Sequence, residues 1–149
     1  MKAVIQRVSS SSVEVDKKIV GSIKDGLMVL VGITNSDTEE DISYIANKIL
    51  NLRLFEDGEK FFEKSLTELG KEILLISQFT LYSGTRKGRR PDFTKAAKSD
   101  VAKPIYERLA ATLREGGAQV QTGKFGETMK VNLSNEGPIT IILDSKETN

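Results

Sequence analysis

Two short segments of the chain carry residue types suited to one site. Ser77-Gln78-Phe79-Thr80-Leu81 closes an apolar run over 73–76, so its hydroxyls stand where a buried strand emerges. Asn135-Glu136-Gly137-Pro138-Ile139-Thr140 sets a Gly-Pro peptide, nearly free of side chain, ahead of another apolar run over 139–143. Hydroxyls at a strand mouth, together with bare backbone, make a site able to read shape and handedness. Glycine lets a backbone approach a ligand closely, and an X-Pro bond adopts the cis form at modest cost. Each segment alone has a plainer reading. Ser and Thr at strand ends often bond only to nearby backbone, and Gly-Pro often marks only a turn.

The chain has no histidine and no cysteine. A Ser-His-Asp triad is therefore excluded, because no imidazole is present to act as base. Activation of a hydroxyl by lysine finds no Ser-x-x-Lys pattern nearby to support it. A zinc site would need carboxylates alone, and the acidic residues lack calcium-loop spacing. Chemistry without metal or cofactor is expected. Asp37, Glu39, Glu40 and Asp41 read as the solvated, dipole-favoured start of a helix.

A net charge of +1 over 149 residues argues against a protein that coats nucleic acid non-specifically. Locally the balance differs: Arg86-Lys87-Gly88-Arg89-Arg90 places four cations in five residues just after the Ser77 segment. That cluster reads either as a solvated loop or as a phosphate-binding one, with Gly88 letting it follow a backbone. No aromatic residue interleaves with it, so base stacking there is not indicated. Phe61, Phe62 and Phe125 read as core.

The elements that must position these residues follow from periodicity. Strands are expected over 2–8, 12–15 and 19–23, the last two joined at Asp16-Lys17-Lys18 as a hairpin. After Asp25-Gly26, the continuous apolarity of 27–33 predicts a strand buried on both faces. Ser36 and Glu39 have capping-box spacing, and Ile42, Ile45, Ala46 and Ile49 recur at helical intervals. A short strand over 52–55, an ambiguous segment over 59–69 ended by Gly70, and a strand over 72–81 come next. A second helical stretch begins near Pro91-Asp92 and runs mainly over 99–115, with Ile105, Leu109 and Leu113 as its stripe. Pro104 is placed in its first turn and Gly116-Gly117 at its end. Strands over 119–122, 130–133 and 139–143 complete one α/β domain rich in antiparallel strands, with two main helices.

At 38% hydrophobic and 29% charged residues the composition is that of an ordered domain. No apolar run approaches the ~18 residues of a membrane span. The opening Met1-Lys2 leads straight into a strand without the features of a signal peptide, so a cytoplasmic location is expected.

Taken together, these segments resemble the D-aminoacyl-tRNA deacylases, along nearly the whole chain. Ala3-Val4-Ile5-Gln6-Arg7-Val8 looks like the family's opening strand, followed by Gly26-Leu27-Met28-Val29-Leu30-Val31-Gly32 and Leu52-Arg53-Leu54-Phe55. The Ser77 and Asn135 segments are similar to its two signature motifs, and Thr85-Arg86-Lys87-Gly88-Arg89-Arg90-Pro91 and Thr122-Gly123-Lys124-Phe125-Gly126 also fit. One stretch departs: Lys60-Phe61-Phe62-Glu63-Lys64 stands where a Lys-Met-Asn-like sequence is expected.

The resemblance implies a mainly antiparallel, barrel-like sheet with two main helices, and hydrolysis of the ester joining a D-amino acid to tRNA. It implies a homodimer in which a cis Gly137-Pro138 peptide of one subunit enters the other's pocket, with Arg7 holding that loop. Ser77, Gln78, Phe79 and Thr80 would form the catalytic wall, and Phe125, Met129 and Ala97 would join Gly137, Pro138 and Arg7 in binding and chiral selection. Arg86, Lys87, Arg89 and Arg90 would meet the tRNA; neither membrane nor DNA is an expected partner. Glycyl-tRNA, including tRNA(Ala) mischarged with glycine, should also enter, because glycine offers no side chain to exclude. A non-catalytic tRNA-binding module and a general small-ester hydrolase are the rival readings.

Overall fold

A computed structural model describes residues 1–86 and 88–147. Strand β1 (Lys2–Val15) is its spine. On one side β1 pairs along almost its full length with β8 (Lys130–Asp144); on the other it pairs with β3 (Gly26–Gly32) and then β2 (Lys18–Ile23). All three pairings are antiparallel. Beyond β3 the sheet turns parallel, through β6 (Glu72–Ser77) to β7 (Gln119–Thr122). The sheet is thus mixed, and its parallel half carries the end of β6.

The sheet curls until β2 lies against β6 and β7, giving a nearly closed barrel. Gly21 permits the approach: a Cβ there would stand 2.7 Å from the Thr122 carbonyl oxygen. Alternation along the strands then supplies two cores. Val8, Val13, Ile23, Met28, Leu74 and Ile76 fill the barrel. Leu27, Val29, Val31, Ile73 and Leu75 face outward onto α1 (Glu39–Asn51) and α3 (Ser99–Glu115). Continuous apolarity in β3 and β6 follows from burial on both faces. The Asp16-Lys17 hairpin forms as expected, with φ of 50° and 63° at its two central residues.

Several sequence expectations need correction. The two expected strands over 2–8 and 12–15 are one, as are those over 130–133 and 139–143, because register shifts let each pair continue through its irregular middle. Strand β6 stops at Ser77; Phe79–Tyr82 form a 3₁₀ turn. No helix runs over 91–98, and Pro104 lies in the second turn of α3. The ambiguous 59–69 segment splits into β5 (Lys60–Ser65), paired with β4 (Arg53–Asp57), and a one-turn α2 (Leu66–Leu69). Gly70 ends α2 in the left-handed conformation. Phe61 and Phe62 are not core: on this projecting hairpin they are 70% and 54% exposed.

The acidic run is the largest surprise. Asp37 and Asp41 are buried, not solvated. The α1 box is formed by Thr38, whose N–H donates to Asp41 Oδ2 at 2.8 Å, in place of Ser36 and Glu39. The Met1 ammonium donates to Asp37 Oδ1 at 2.5 Å and to Ser145 Oγ at 2.6 Å. Ser145 Oγ and Lys146 Nζ donate to Asp41 at 2.6 and 2.7 Å. The start of β1 and the end of β8, side by side at one end of the sheet, are so tied to the start of α1. Among the described residues no helix is long and apolar enough to cross a membrane.

Burial by itself would raise the Asp41 pKa, but the hydrogen bonds from Lys146, Ser145 and Thr38 outweigh it and hold the carboxyl below its ordinary 3.8. A depressed folded-state pKa stabilises fully above the unfolded value, and that contribution is lost as pH falls below it. Asp41→Asn should therefore cost about 1–3 kcal/mol at neutral pH. Urea unfolding of the two proteins should converge as pH drops from about 5; a gap that stays constant with pH would refute the role of charge.

Candidate active site

Three consecutive residues at the end of β3 organise the site. The Val31 carbonyl accepts from the Gln78 N–H at 2.7 Å, and the Ile33 carbonyl from the Ala97 N–H at 2.9 Å. Between them Gly32 presents a bare Cα to the 3₁₀ turn. A Cβ there would lie 2.9 Å from Leu81 Cβ and 3.1 Å from the Gln78 carbonyl oxygen. Because β3 and β6 run parallel, both chains leave the sheet at the same edge, where α/β proteins commonly place their sites.

Ser77, Gln78, Phe79, Ala97, Phe125 and Met129 line one cavity of about 540 Å³ at this edge. Phe79 stands 55% exposed and meets Phe93 edge-to-face, ring centres 5.1 Å apart. Thr80 lies one step along the turn, its Oγ1 accepting from Gln78 Nε2 at 2.5 Å. The first i→i+3 bond of the turn runs from the Leu81 N–H to the Gln78 carbonyl, at 3.3 Å. The Phe79 and Thr80 N–H groups precede it, where a helical turn offers no backbone acceptor. On the opposite wall Met129 fills the space beside Gly123, whose Cβ would sit 2.5 Å from the sulfur.

Two tyrosines lie nearby, and neither can serve as a base near neutral pH. Burial pushes Tyr106 well above the ordinary phenol value; its hydroxyl donates to the Leu75 carbonyl at 2.8 Å. Tyr82 is raised by burial and by the carboxylates of Asp37, Asp144 and Asp41. Among the described residues no three carboxylates gather into a metal-sized cluster.

Other expected site residues lie elsewhere in the same chain. The β1–β8 register passes from Gln6↔Thr140 to Val8↔Asn135, so residues 136–139 arch out opposite Arg7. Asn135 Nδ2 closes the arch on the Arg7 and Ile139 carbonyls, both at 2.9 Å. At its tip the Gly137-Pro138 bond is cis and both residues are exposed. Gly137 has φ +117°, and a Cβ there would meet Ile139 Cγ1 at 2.8 Å. Arg7 is buried below, donating to the Leu54 carbonyl at 3.0 Å, with Glu56 and Glu136 at 3.6 and 3.8 Å. Neither Arg7 nor Gly137-Pro138 lines the cavity of its own chain. Arg86, Arg89 and Arg90 are exposed, and Lys87 lies outside the described residues.

The sequence assigned no site role to Gly32, Phe93, Ala96 or Lys98. Only Gly32 carried a signal, as a glycine ending an otherwise apolar strand.

The sequence profile of the D-Tyr-tRNA(Tyr) deacylases matches residues 4–144. The chain belongs to that family. It is a hydrolase, and the D-aminoacyl-tRNA deacylase of Bacillus pumilus is 53% identical over 147 residues, 99% of this chain and 100% of that one. A D-aminoacyl-tRNA deacylase of Clostridium botulinum is 52% identical over 99% of each chain. Among solved structures, a c-Myc DNA unwinding element binding protein superposes with a TM-score of 0.94 at 41% identity, over 99% of this chain and 100% of that one. A probable eukaryotic D-amino acid tRNA deacylase gives 0.82 at 21% identity over 95% and 97%, a likeness of fold.

For a deacylase built this way, Gly32→Ala should displace the 3₁₀ turn while the cores stay packed. Deacylation should fall about 10- to 100-fold, the cost of misplacing reacting groups by roughly an ångström. Near-parental activity in a folded Gly32→Ala protein would show that the turn does not rest on this glycine.

Proposed function

We propose that the protein hydrolyses the ester between a D-amino acid and the terminal ribose of tRNA, releasing free D-amino acid and tRNA. The observation that carries this reading is the end-to-end match to D-aminoacyl-tRNA deacylases, in a chain whose Ser77 segment lines a cavity. The substrate's aminoacyl group occupies that cavity, between Phe79 and Ala97 on one wall and Phe125 and Met129 on the other.

Water attacks the ester carbonyl carbon, the bond to the ribose oxygen breaks, and that oxygen takes up a proton. An aminoacyl ester is already activated, so a placed water and a stabilised oxyanion suffice. The Phe79 and Thr80 N–H groups are the oxyanion donors. The neighbouring ribose 2′-OH orients or activates the water, which suits a chain without histidine. Thr80, held by Gln78, positions the substrate and does not attack it.

Chirality is read in trans. The cis Gly137-Pro138 arch of one subunit enters the partner's cavity, where rigid backbone fills the space an L side chain requires. Support comes from the arch itself, which is exposed and lies off its own cavity. The outer edge of β8 supports the same reading: β8 pairs with β1 alone among the described strands and carries exposed Ile142 and Leu133. Glycine has no side chain to exclude, so glycyl-tRNA, including glycine mischarged on tRNA(Ala), is also cleared. Arg86, Arg89 and Arg90 contribute phosphate contacts to the tRNA.

Hydrolysis of matched D-, L- and glycyl-tRNA tests the reading: D and glycyl substrates should be cleaved and L spared. Cleavage of simple esters as fast as aminoacyl-tRNA would favour a general esterase, and tRNA binding without turnover a binding module.

Thr80→Ala should keep measurable turnover and accumulate no acyl-enzyme, whereas replacing the terminal 2′-OH by hydrogen should be far more damaging. Nucleophilic catalysis requires a covalent intermediate. A trapped adduct on Thr80 would therefore reverse the assignment.

A further inference from the structure

We propose that a second cleft, across Phe125 from the active-site cavity, binds a phosphodiester of the tRNA 3′ strand. The inference rests on the deacylase reading and adds to it where the nucleic acid leaves the site. The cleft has a volume of about 410 Å³ and lies between α3 and the segment following β7. Lys103, Glu107, Ala110 and Arg114 recur at three- and four-residue spacing, so α3 offers one continuous face to it. Lys124 lines it from the segment following β7, together with Phe125 and Glu127.

The charge pattern selects the ligand. Three cations stand against two carboxylates, Glu107 and Glu127. Lys103 and Glu107 approach to 4.0 Å as an exposed pair, which holds little energy and yields readily to a better partner. Arg114 Nη2 donates to the Val120 carbonyl at 3.2 Å, which orients a guanidinium that has five N–H donors. The carboxylates repel a dianionic terminal phosphate more strongly than a singly charged phosphodiester. The cleft therefore suits an internal link of a nucleic-acid strand.

Position selects the strand. Phe125 and Glu127 line both cavities, so the two adjoin. The Phe125 ring is fixed against Tyr106, centres 5.6 Å apart. With the ester in the larger cavity, a 3′ strand leaving over Phe125 brings an upstream phosphate between Lys103 and Lys124.

The test is the double variant Lys103→Gln/Lys124→Gln, which leaves the structurally bonded Arg114 in place. Its KM should rise roughly five- to tenfold for D-aminoacyl-tRNA, and more than for D-aminoacyl-adenosine, which has no phosphate. The log–log salt slope for tRNA binding should shrink by about 0.7, one single-strand phosphate. Unchanged KM and slope would overturn the site, and equal losses on both substrates would mark these lysines as merely structural. If the parent protein fails to deacylate D-aminoacyl-tRNA, the deacylase reading fails. The affinity and slope for uncharged tRNA then still decide the cleft, because an unaffected variant would refute it.

Discussion

The site depends on the backbone at the end of β3. Val31 and Ile33 each spend a carbonyl on a different wall of the cavity, fixing Gln78 and Ala97, while Gly32 between them lets the 3₁₀ turn settle onto the sheet. This arrangement needs β3 and β6 to run parallel and in register, so that both leave the sheet at one edge. Burial of both strands on two faces, in the barrel and beneath the helices, enforces that register. A one-residue slip would exchange the two apolar sets. The position of Phe79 and Thr80 is thus a consequence of core packing several residues upstream.

A second constraint acts at the opposite edge of β1. Opposite Arg7, β8 leaves its register and lifts residues 136–139 away from the sheet, with Asn135 bridging the base and Arg7 buried beneath. The arch is therefore a built feature whose tip is backbone. Its exposure, and its absence from the lining of its own cavity, are what give the proposed two-chain site its logic. Each chain holds its cavity and its exposed arch at separate places.

Much of this was legible in the sequence because it rests on local pattern. The apolar runs of β3 and β6, the Asp16-Lys17 turn, the Gly70 stop and the two main helices follow from periodicity and turn chemistry. Joining the Ser77 residues with Ala97, Phe125 and Met129 required the family resemblance, since no spacing links them. What escaped has a common cause in tertiary context. Asp37 and Asp41 read as solvent-facing because their partners, the Met1 ammonium, Ser145 and Lys146, are remote in sequence. Phe61 and Phe62 read as core because aromatic residues usually are, yet β4 and β5 form a hairpin apart from the main sheet. The early end of β6 was hidden because Phe79 and Leu81 continue an apolar pattern after the backbone has turned.

In the proposed site the pocket comes from one chain and the Gly-Pro backbone from another. Subunit mixing tests it directly. Gly137→Ala spoils the arch, and Ala97→Trp fills the pocket; each homodimer should be nearly inactive on D-aminoacyl-tRNA. Co-assembled, the two chains pair an intact pocket with an intact arch at one of the two sites. Activity should reappear, to about half the parental value per mixed dimer. Mixed dimers that form yet stay as inactive as their parents would contradict the account, because the pocket and the arch would then have to belong to the same chain.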